Sequence, residues 1–292
     1  MEKKKDAIVV SFYNFKGGIG KTTLSVSFAA AKASDPGTRV LFIDMETQCN
    51  ASRWLGYTKE EMRYENGKTS VLNIPGIKHK GIPQVKPTKL FCPAPNYHLY
   101  AIRGSLSLEE MWGKETELDG KIDVMMPVID ELRPLFDYIV IDLGTRYSDP
   151  TLSALCASDY VIVPVTPDTQ CLEGLETFME DIYPACKTVN PLLEVAGLVH
   201  NMLNVVGYSI YTYAVALPAM AEKYGVYLYK SAIHTSAGIA NLRNPSVIEK
   251  AGTGRNLCLT DKFIYRNYPK AYEDFKNFMK ETDKRIRDHE NQ

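Results

Sequence analysis

A chain of 292 residues with an ordinary composition excludes several classes of protein at once. Hydrophobic residues make up 45% and charged residues 24%, which allows a sizeable core and argues against global disorder. The formal net charge of -1 excludes a protein that coats nucleic acid by bulk electrostatics, so any DNA binding must come from a local basic patch. The apolar run after the charged N-terminus is far shorter than the roughly 18 residues of a membrane span, so we expect a cytoplasmic protein.

The first predicted element is a strand buried on both faces of a sheet. Residues 7–12 form a short apolar run rich in Val and Ile, which is typical of a parallel sheet. Glycines end this run, and from Thr22 the apolar spacing predicts a helix that ends near residues 35–37, Asp-Pro-Gly. A second buried strand is predicted at residues 39–43.

Further along the chain, short runs rich in β-branched residues alternate with helical patterns. Residues 138–142, 160–164 and 194–200 are predicted strands. Helical patterns cover residues 211–224 and the charged segment 261–287, where we expect one long C-terminal helix. The alternation predicts an α/β fold, with a mostly parallel twisted sheet and helices on both faces.

The least regular segment lies between residues 57 and 95 and is dense in proline and glycine. Parts of the same predicted sheet flank it on both sides, so a domain boundary here would split the core. We therefore predict one domain over residues 1–292, with a surface excursion at 57–95 and the C-terminal helix described above.

A glycine-rich turn joins the first strand to the first helix. Backbone N–H groups in such a turn converge on an anion, and the positive end of the helix dipole favours its binding. We predict that ATP binds here, with Lys21 on the β- and γ-phosphates, Thr22 on Mg²⁺ and Thr23 near the α-phosphate. A turn that only connects strand and helix is the alternative, which the two lysines and two threonines in register disfavour. The predicted nucleotide-binding residues of the turn are Lys16, Gly17, Gly18, Ile19, Gly20, Lys21, Thr22 and Thr23.

The strict Walker A pattern is not met, because its first glycine position is occupied by Phe15. The turn instead resembles the deviant Walker A box, K-G-G-x-G-K-[ST]-T, of the ParA/MinD ATPases, which are SIMIBI-class P-loop proteins. In that family an added lysine reaches into the partner subunit's nucleotide, and Lys16 occupies its position. The resemblance implies an ATPase that dimerises on ATP binding, with Lys16 acting in both binding and catalysis.

The segment after the second strand resembles the family's switch I. From Asp44 it reads D-M-E-T-Q-C-N-A-S, against the common D-x-D-P-Q-G-N-A-[ST]. The resemblance implies a catalytic and magnesium-binding role for Asp44. Glu46 stands where the family has the aspartate that orients the attacking water. One extra methylene displaces the carboxylate by about an ångström, enough to cost roughly a hundredfold in rate, so we expect slow, partner-stimulated turnover.

Two later strands carry further candidates. Asp142 ends the strand at 138–142 and resembles the Walker B aspartate that holds magnesium; a strand-end turn residue is the alternative. Residues 143–146, which follow it, lack the family's usual proline pair. Asn201 lies at the end of the strand that approaches adenine in the family, which makes it a candidate contact for the base. The implied magnesium ligands are Thr22, Asp44 and Asp142.

The segment from residue 243 to the C-terminus is basic, with eleven Lys or Arg and eight Asp or Glu. A DNA-facing patch is one interpretation. In the other, the lysines of residues 270–287 simply solvate the outer face of a helix whose aromatic residues pack inward.

Among the functions that the resemblance implies, a ParA-like switch explains Lys16 best. Its ATP-bound homodimer would bind nonspecific DNA, and a ParB-like or adaptor protein would stimulate hydrolysis and release, for plasmid or chromosome partition or cargo positioning. A MinD-like membrane-associated ATPase is the alternative, which the polar tail at 281–292 disfavours. An iron–sulfur ATPase resembling nitrogenase iron protein would need a cysteine soon after Asp142, and a P-loop kinase or ligase would leave Lys16 unexplained.

Overall fold

A computed structural model describes residues 6–63, 70–73, 88–89, 98–108, 122–204 and 211–290. Within these ranges all the strands belong to one sheet. The strands are β1 (Ile8–Phe12), β2 (Val40–Met45), β3 (Thr88–Lys89), β4 (Leu99–Ile102), β5 (Tyr138–Leu143), β6 (Tyr160–Val165), β7 (Glu194–Leu203) and β8 (Leu228–His234).

The strand order is β3-β4-β2-β5-β1-β6-β7-β8. Every pairing is parallel except that between the two-residue β3 and β4 at one edge. The predicted α/β class with a mostly parallel sheet is therefore confirmed.

Helices connect the parallel strands, and in the described ranges none has the length and apolar character to cross a membrane. Two helical stretches contain a π-helical turn, at Phe178–Ile182 and Thr212–Ala216, and short 3₁₀ turns lie at Val71–Asn73 and Arg133–Leu135. The α-helices are α1 (Lys21–Ser34), α2 (Asn50–Trp54), α3 (Lys59–Arg63), α4 (Met125–Leu132), α5 (Asp149–Cys156), α6 (Thr169–Thr177), α7 (Tyr183–Val189), α8 (Leu217–Tyr224), α9 (Ala237–Ala240), α10 (Pro245–Ala251), α11 (Lys262–Asn267) and α12 (Pro269–Glu290).

Strand β1 lies in the middle of the sheet, and its side chains alternate between two hydrophobic cores. Val9 belongs to the core on one face and Val10 to the core on the other. The first core is completed by residues of α4 to α7, and the second by residues of α1, α11 and α12. In the second core Phe12 of β1 meets Phe28 of α1 edge to face, with ring centroids 5.7 Å apart. Burial on both faces explains why these strands are continuous apolar runs rather than alternating ones.

The C-terminal segment departs from the prediction of one helix at 261–287. It forms two helices, α11 and α12, separated at Tyr268, whose φ of -138° and ψ of 58° are not helical. Pro269 explains the break, because its ring disfavours a helical conformation at the preceding residue and it has no N–H to donate. The excursion at 57–95 falls largely outside the described residues, and the single-domain assignment stays a prediction.

The loops after the central strands all lie at one edge of the sheet. The glycine-rich loop follows β1, the switch I segment follows β2, and residues 144–148 and 166–168 follow β5 and β6. Because these strands are parallel, their carboxyl ends meet there, which is where open α/β sheets bind ligands. The fold therefore brings together segments that are more than a hundred residues apart in the chain.

Candidate functional site

The glycine-rich loop between β1 and α1 forms one wall of the site. Gly18 and Gly20 have φ values of 75° and 82°, in the left-handed region that favours glycine. A Cβ at Gly20 would lie 2.5 Å from Nδ2 of Asn201, so a side chain there would displace this amide. Helix α1 begins at Lys21, and the N–H groups of its first turn have no partner within the helix. The loop and helix start together form an anion-binding cradle.

Lys21 lies inside this cradle with only 7% of its surface exposed. Its Nζ donates a hydrogen bond to the backbone oxygen of Lys16 at 2.9 Å. Burial lowers the pKa of Lys21, although the nearby carboxylates of Asp142 and Glu46 act in the opposite direction. A desolvated ammonium that is hydrogen-bonded to a backbone carbonyl is stabilised further by an incoming anion such as a triphosphate.

Beneath the loop, Thr22 and Asp142 are in direct contact. The Thr22 hydroxyl donates to Oδ2 of Asp142 at 2.7 Å, and the Ser25 hydroxyl donates to Oδ1 at 3.0 Å. Asp142 is fully buried, and burial, followed by the charge of Asp44, raises its pKa to about 7. The two residues predicted to share a magnesium ion are thus brought together. Ser25 was not predicted, although its position three residues after Thr22 puts it on the same helix face.

Asp44 has neighbours other than those expected of a residue facing a metal. Its Oδ2 accepts hydrogen bonds from the backbone N–H and the hydroxyl of Ser52, at 2.7 and 2.6 Å. Its Oδ1 accepts the N–H of Glu46 at 3.1 Å, and burial raises its pKa to about 6 despite these bonds. The Ser52 hydroxyl also accepts the N–H of Gly104 at 2.8 Å. Asp44 therefore organises the segment after β2, and its assignment as a magnesium ligand stays a prediction.

Glu46 is held at the surface of the same segment. One of its carboxylate oxygens accepts the N–H of Gln48 at 3.2 Å, and the other accepts Nδ2 of Asn50 at 3.1 Å. Its Cγ also lies close to Gly144, where an added Cβ would approach it to 3.4 Å. The carboxylate thus sits between the segments that follow β2 and β5.

One cavity of about 370 Å³ joins these parts, a volume within the range of small-molecule sites. Of the residues predicted from the sequence, Gly17 to Thr23 and Glu46 line it. Asp142 does not line the cavity but accepts a hydrogen bond from Thr22, which does. Lys16, Asp44 and Asn201 do not line the cavity. Further lining residues are Gln48, Asn50, Trp54, Leu143, Thr145 and Arg243.

Lys16 is paired within its own chain. Its Nζ lies 2.5 Å from Oδ1 of Asp168, and its backbone N–H donates to Oδ1 of Asn14 at 3.0 Å. Asp168 also accepts the Thr166 hydroxyl at 2.6 Å and, as the N-cap of α6, the N–H of Cys171 at 3.0 Å. Burial raises the pKa of Asp168, but the hydrogen bonds from Lys16, Thr166 and Cys171 outweigh it and hold the pKa below its ordinary value.

Asp168 is a site residue that the sequence reasoning missed. Two signals point to it: it follows β6, the neighbour of β1, and aspartate is a preferred N-cap residue. Parallel neighbours place their carboxyl ends side by side, so a carboxylate after β6 falls next to the loop after β1.

The side chain of Asn201 is hydrogen-bonded to the glycine-rich loop. It is 3% exposed, and its Nδ2 donates to the backbone oxygen of Ile19 at 2.5 Å. This contact neither supplies nor excludes the predicted contact with a base, so that assignment stays a prediction.

Comparison with known proteins places these features in a wider group. The family model described as the AAA domain matches residues 7–195. The chromosome partitioning protein ParA of Myxococcus xanthus is 30% identical over 200 residues, which cover 67% of this chain and 65% of that protein. The sporulation initiation inhibitor protein Soj of Bacillus subtilis is 30% identical over 199 residues, covering 67% of this chain and 73% of that protein.

A solved structure extends the likeness over nearly the whole chain. An ATP complex of a McdA variant from Cyanothece matches with a TM-score of 0.73 and 19% identity, covering 95% of this chain and 96% of the other. At that identity the likeness concerns the fold alone.

Proposed function

The chain belongs to the ParA/MinD-type ATPases, within the AAA domain family, and from this membership we propose that it is an ATP-dependent switch for partition or positioning. In the proposed cycle, ATP binding produces a homodimer that binds nonspecific DNA, and hydrolysis to ADP and phosphate releases it. A ParB-like or adaptor protein stimulates hydrolysis, and the cargo is a plasmid, a chromosome or a protein assembly in the cytoplasm. The observation that carries the proposal is a shared cavity lined by both the glycine-rich loop and Glu46.

The residues around the cavity fit ATP with magnesium. The loop N–H groups and Lys21 match the phosphates, while Thr22 and Asp142 offer oxygen ligands of the kind that Mg²⁺ prefers. In the described ranges no group of three or more His, Cys, Asp or Glu could hold a metal ion by itself. Magnesium would therefore be shared with phosphate oxygens and water, and when bound it neutralises charge that develops on the phosphates.

Glu46 is the proposed water-positioning residue. Its carboxylate lines the cavity and is held by Gln48 and Asn50, so it can accept a hydrogen bond from a water molecule beside the γ-phosphate. Asp44 is proposed to act indirectly, because its carboxylate accepts the backbone N–H of Glu46 and so positions Glu46. The long side chain of Glu46, in place of the family's aspartate, supports slow turnover.

Lys16 is the proposed link between nucleotide and dimer. In the single chain its ammonium is neutralised by Asp168, 2.5 Å away. To reach a triphosphate in a second copy, Lys16 has to exchange this carboxylate for phosphate oxygens. Association and nucleotide binding are then coupled, because only an ATP-loaded partner offers the replacement anion.

The proposed DNA contacts lie on α12. Lys280, Lys284 and Arg287 are exposed along this helix, whereas Phe275 and Phe278 are buried in the core beneath it. The inward aromatic residues agree with the packing interpretation of the helix. The exposed cations supply what a patch-based, salt-sensitive interaction with DNA phosphates requires.

The test measures molecular mass in solution with magnesium and a non-hydrolysable ATP analogue. The parent is expected to dimerise, Lys16→Ala to bind the analogue but stay monomeric, and Lys21→Ala to lose analogue binding. Lys250→Ala, which removes an exposed lysine of α10, serves as the control and should behave as the parent.

Retention on DNA should appear only with ATP and should fall steeply with salt. A parent that stays monomeric with the analogue contradicts the switch, and retention on lipid vesicles instead of DNA contradicts the DNA-binding step.

A further inference from the structure

One cation that the proposed mechanism does not use lines the nucleotide cavity. Arg243 lies between α9 and α10, outside the segment matched by the family model, and its side chain is exposed. It shares the cavity with the glycine-rich loop and with Glu46. The C-terminal third of the chain therefore reaches the site through this residue.

The guanidinium of Arg243 lies near the ring of Trp54, a buried and hydrogen-bonded side chain. Its guanidinium carbon lies 5.6 Å from the ring centroid of Trp54, at the end of α2. Trp54 is 7% exposed, and its Nε1 donates to the backbone oxygen of Leu257 at 3.0 Å. The backbone oxygen of Trp54 accepts Nδ2 of Asn256 at 2.8 Å. Contact with an aromatic face orients a guanidinium without using its N–H donors.

The surroundings of Arg243 differ from those of Arg255, another arginine of the C-terminal third. Arg255 donates to both oxygens of Asp261, at 3.1 and 2.8 Å. Within the part of the chain that the structure describes, Arg243 has no carboxylate within ion-pairing distance. An oriented guanidinium without a carboxylate, facing an anion-binding cavity, is suited to bind phosphate oxygens.

We propose that Arg243, beside Trp54, is a nucleotide-binding residue that contacts phosphate oxygens of bound ATP from a part of the cavity wall outside the glycine-rich loop. The inference rests on the proposed function, since it takes ATP as the ligand of this cavity. It adds a cation to the two lysines of the loop. It also ties the C-terminal third to the state of the nucleotide, because the ligand bridges that segment and α1.

The test is equilibrium binding of MgATP by calorimetry to the parent, Arg243→Gln, Arg243→Lys and the control Arg266→Ala. Arg266 is an exposed arginine of α11, so the control removes the same charge away from the cavity. Arg243→Gln should weaken binding about ten- to a hundredfold, as expected for loss of a charge-assisted hydrogen bond. Arg243→Lys should retain more affinity than Arg243→Gln, because phosphate recognition depends on charge, and Arg266→Ala should stay within about twofold of the parent.

Each other outcome has a definite meaning. An Arg243→Gln affinity within twofold of the parent overturns the inference. Glutamine equal to or better than lysine also overturns it, because a neutral hydrogen-bonding group would then suffice and the contact would be to sugar or base. If Lys21→Ala abolishes binding while the Arg243 variants behave as the parent, only this inference fails. A parent that binds no MgATP contradicts the proposed function itself.

Discussion

The two ends of the central sheet each carry a cavity, and the difference between them is chemical rather than one of size. The cavity at the carboxyl end measures about 370 Å³ and the one at the amino end about 410 Å³. At the amino end Lys32 is buried, but it is paired with Asp283 of α12 and lies 4.6 Å from the ring centroid of Tyr138. At the carboxyl end, Lys21 donates to the backbone carbonyl of Lys16 instead of to a carboxylate among the described residues.

The comparison shows why volume is a poor guide to function. Folding has already neutralised the cation at the amino end, so an anion gains little by binding there. At the carboxyl end the glycine-rich loop, the desolvated Lys21 and the buried Asp142 keep charges that a metal and a phosphate would satisfy. The following experiments compare the two ends directly.

The largest difference should come from Glu46→Ala at the carboxyl end. Loss of the water-positioning carboxylate should lower the ATP turnover number about a hundredfold and prolong the life of the ATP-bound dimer. Steady-state phosphate release and mass in solution measure the two effects.

Asp283→Ala is the matched change at the amino end. It should destabilise the fold, because it leaves Lys32 buried without its partner, but turnover per folded molecule should stay within about twofold. Equal losses of turnover in both variants would remove the functional distinction between the two ends.

A smaller effect is expected when Asp168→Asn releases Lys16. An asparagine keeps the N-cap of α6 but loses the ion pair, so Lys16 should transfer to a partner's triphosphate at a lower cost. We expect the ATP concentration that half-saturates dimerisation to fall about two- to fivefold, the size of a partly exposed ion pair.

The control for Asp168→Asn is Glu194→Gln, which breaks the comparable pair of Lys187 and Glu194, at 3.0 Å, away from the cavity. Glu194→Gln should leave the ATP concentration that half-saturates dimerisation unchanged. If Asp168→Asn instead raises the ATP concentration that half-saturates dimerisation, the carboxylate of Asp168 assists dimerisation and does not compete with the triphosphate for Lys16.

A separate prediction concerns the pH dependence of stability and the buried carboxylate of Asp142. Because burial raises its pKa to about 7 in the folded chain, the folded state keeps a proton that the unfolded state releases near pH 4. The free energy of unfolding of the nucleotide-free protein should therefore fall as pH rises from about 4 to 7.

Asp142→Asn should flatten this slope and raise the melting temperature at pH 8, by roughly 2–4 °C for each kcal/mol gained. Denaturant unfolding at several pH values checks it. A variant with the parent's slope would show that Asp142 is not the group responsible.

The elements that carry the fold were predictable because their signals are local. The continuous apolar runs at β1, β2, β5 and β6 reflect burial on both faces, and the glycines between β1 and α1 reflect a backbone that other residues adopt at a cost. The break at Tyr268 was also local, since Pro269 signals it, but the regular apolar spacing on both sides outweighed that signal in the prediction.

The contacts that complete the site were not predictable in the same way. Lys16 and Asp168 are 152 positions apart, and Trp54 and Arg243 are 189 positions apart. Such pairs depend on which strands become neighbours, and nothing in either local sequence specifies that. Asp44 shows a related limit, because its residue type suits both a metal ligand and an acceptor for backbone N–H groups, and only its contacts with Ser52 distinguish the two.

The contact between Gly20 and Asn201 has a consequence for how such chains diverge. A Cβ at position 20 would lie 2.5 Å from the Asn201 amide, whose nitrogen holds the oxygen of Ile19. Alanine at position 20 would be strained by its φ of 82° as well as by this contact. A smaller residue at position 201 would relieve only the contact, and it would remove the hydrogen bond to the loop. Substitutions at position 20 should therefore be rare in a large set of homologues, and those that occur should be accompanied by a change at position 201, although 181 positions separate the two.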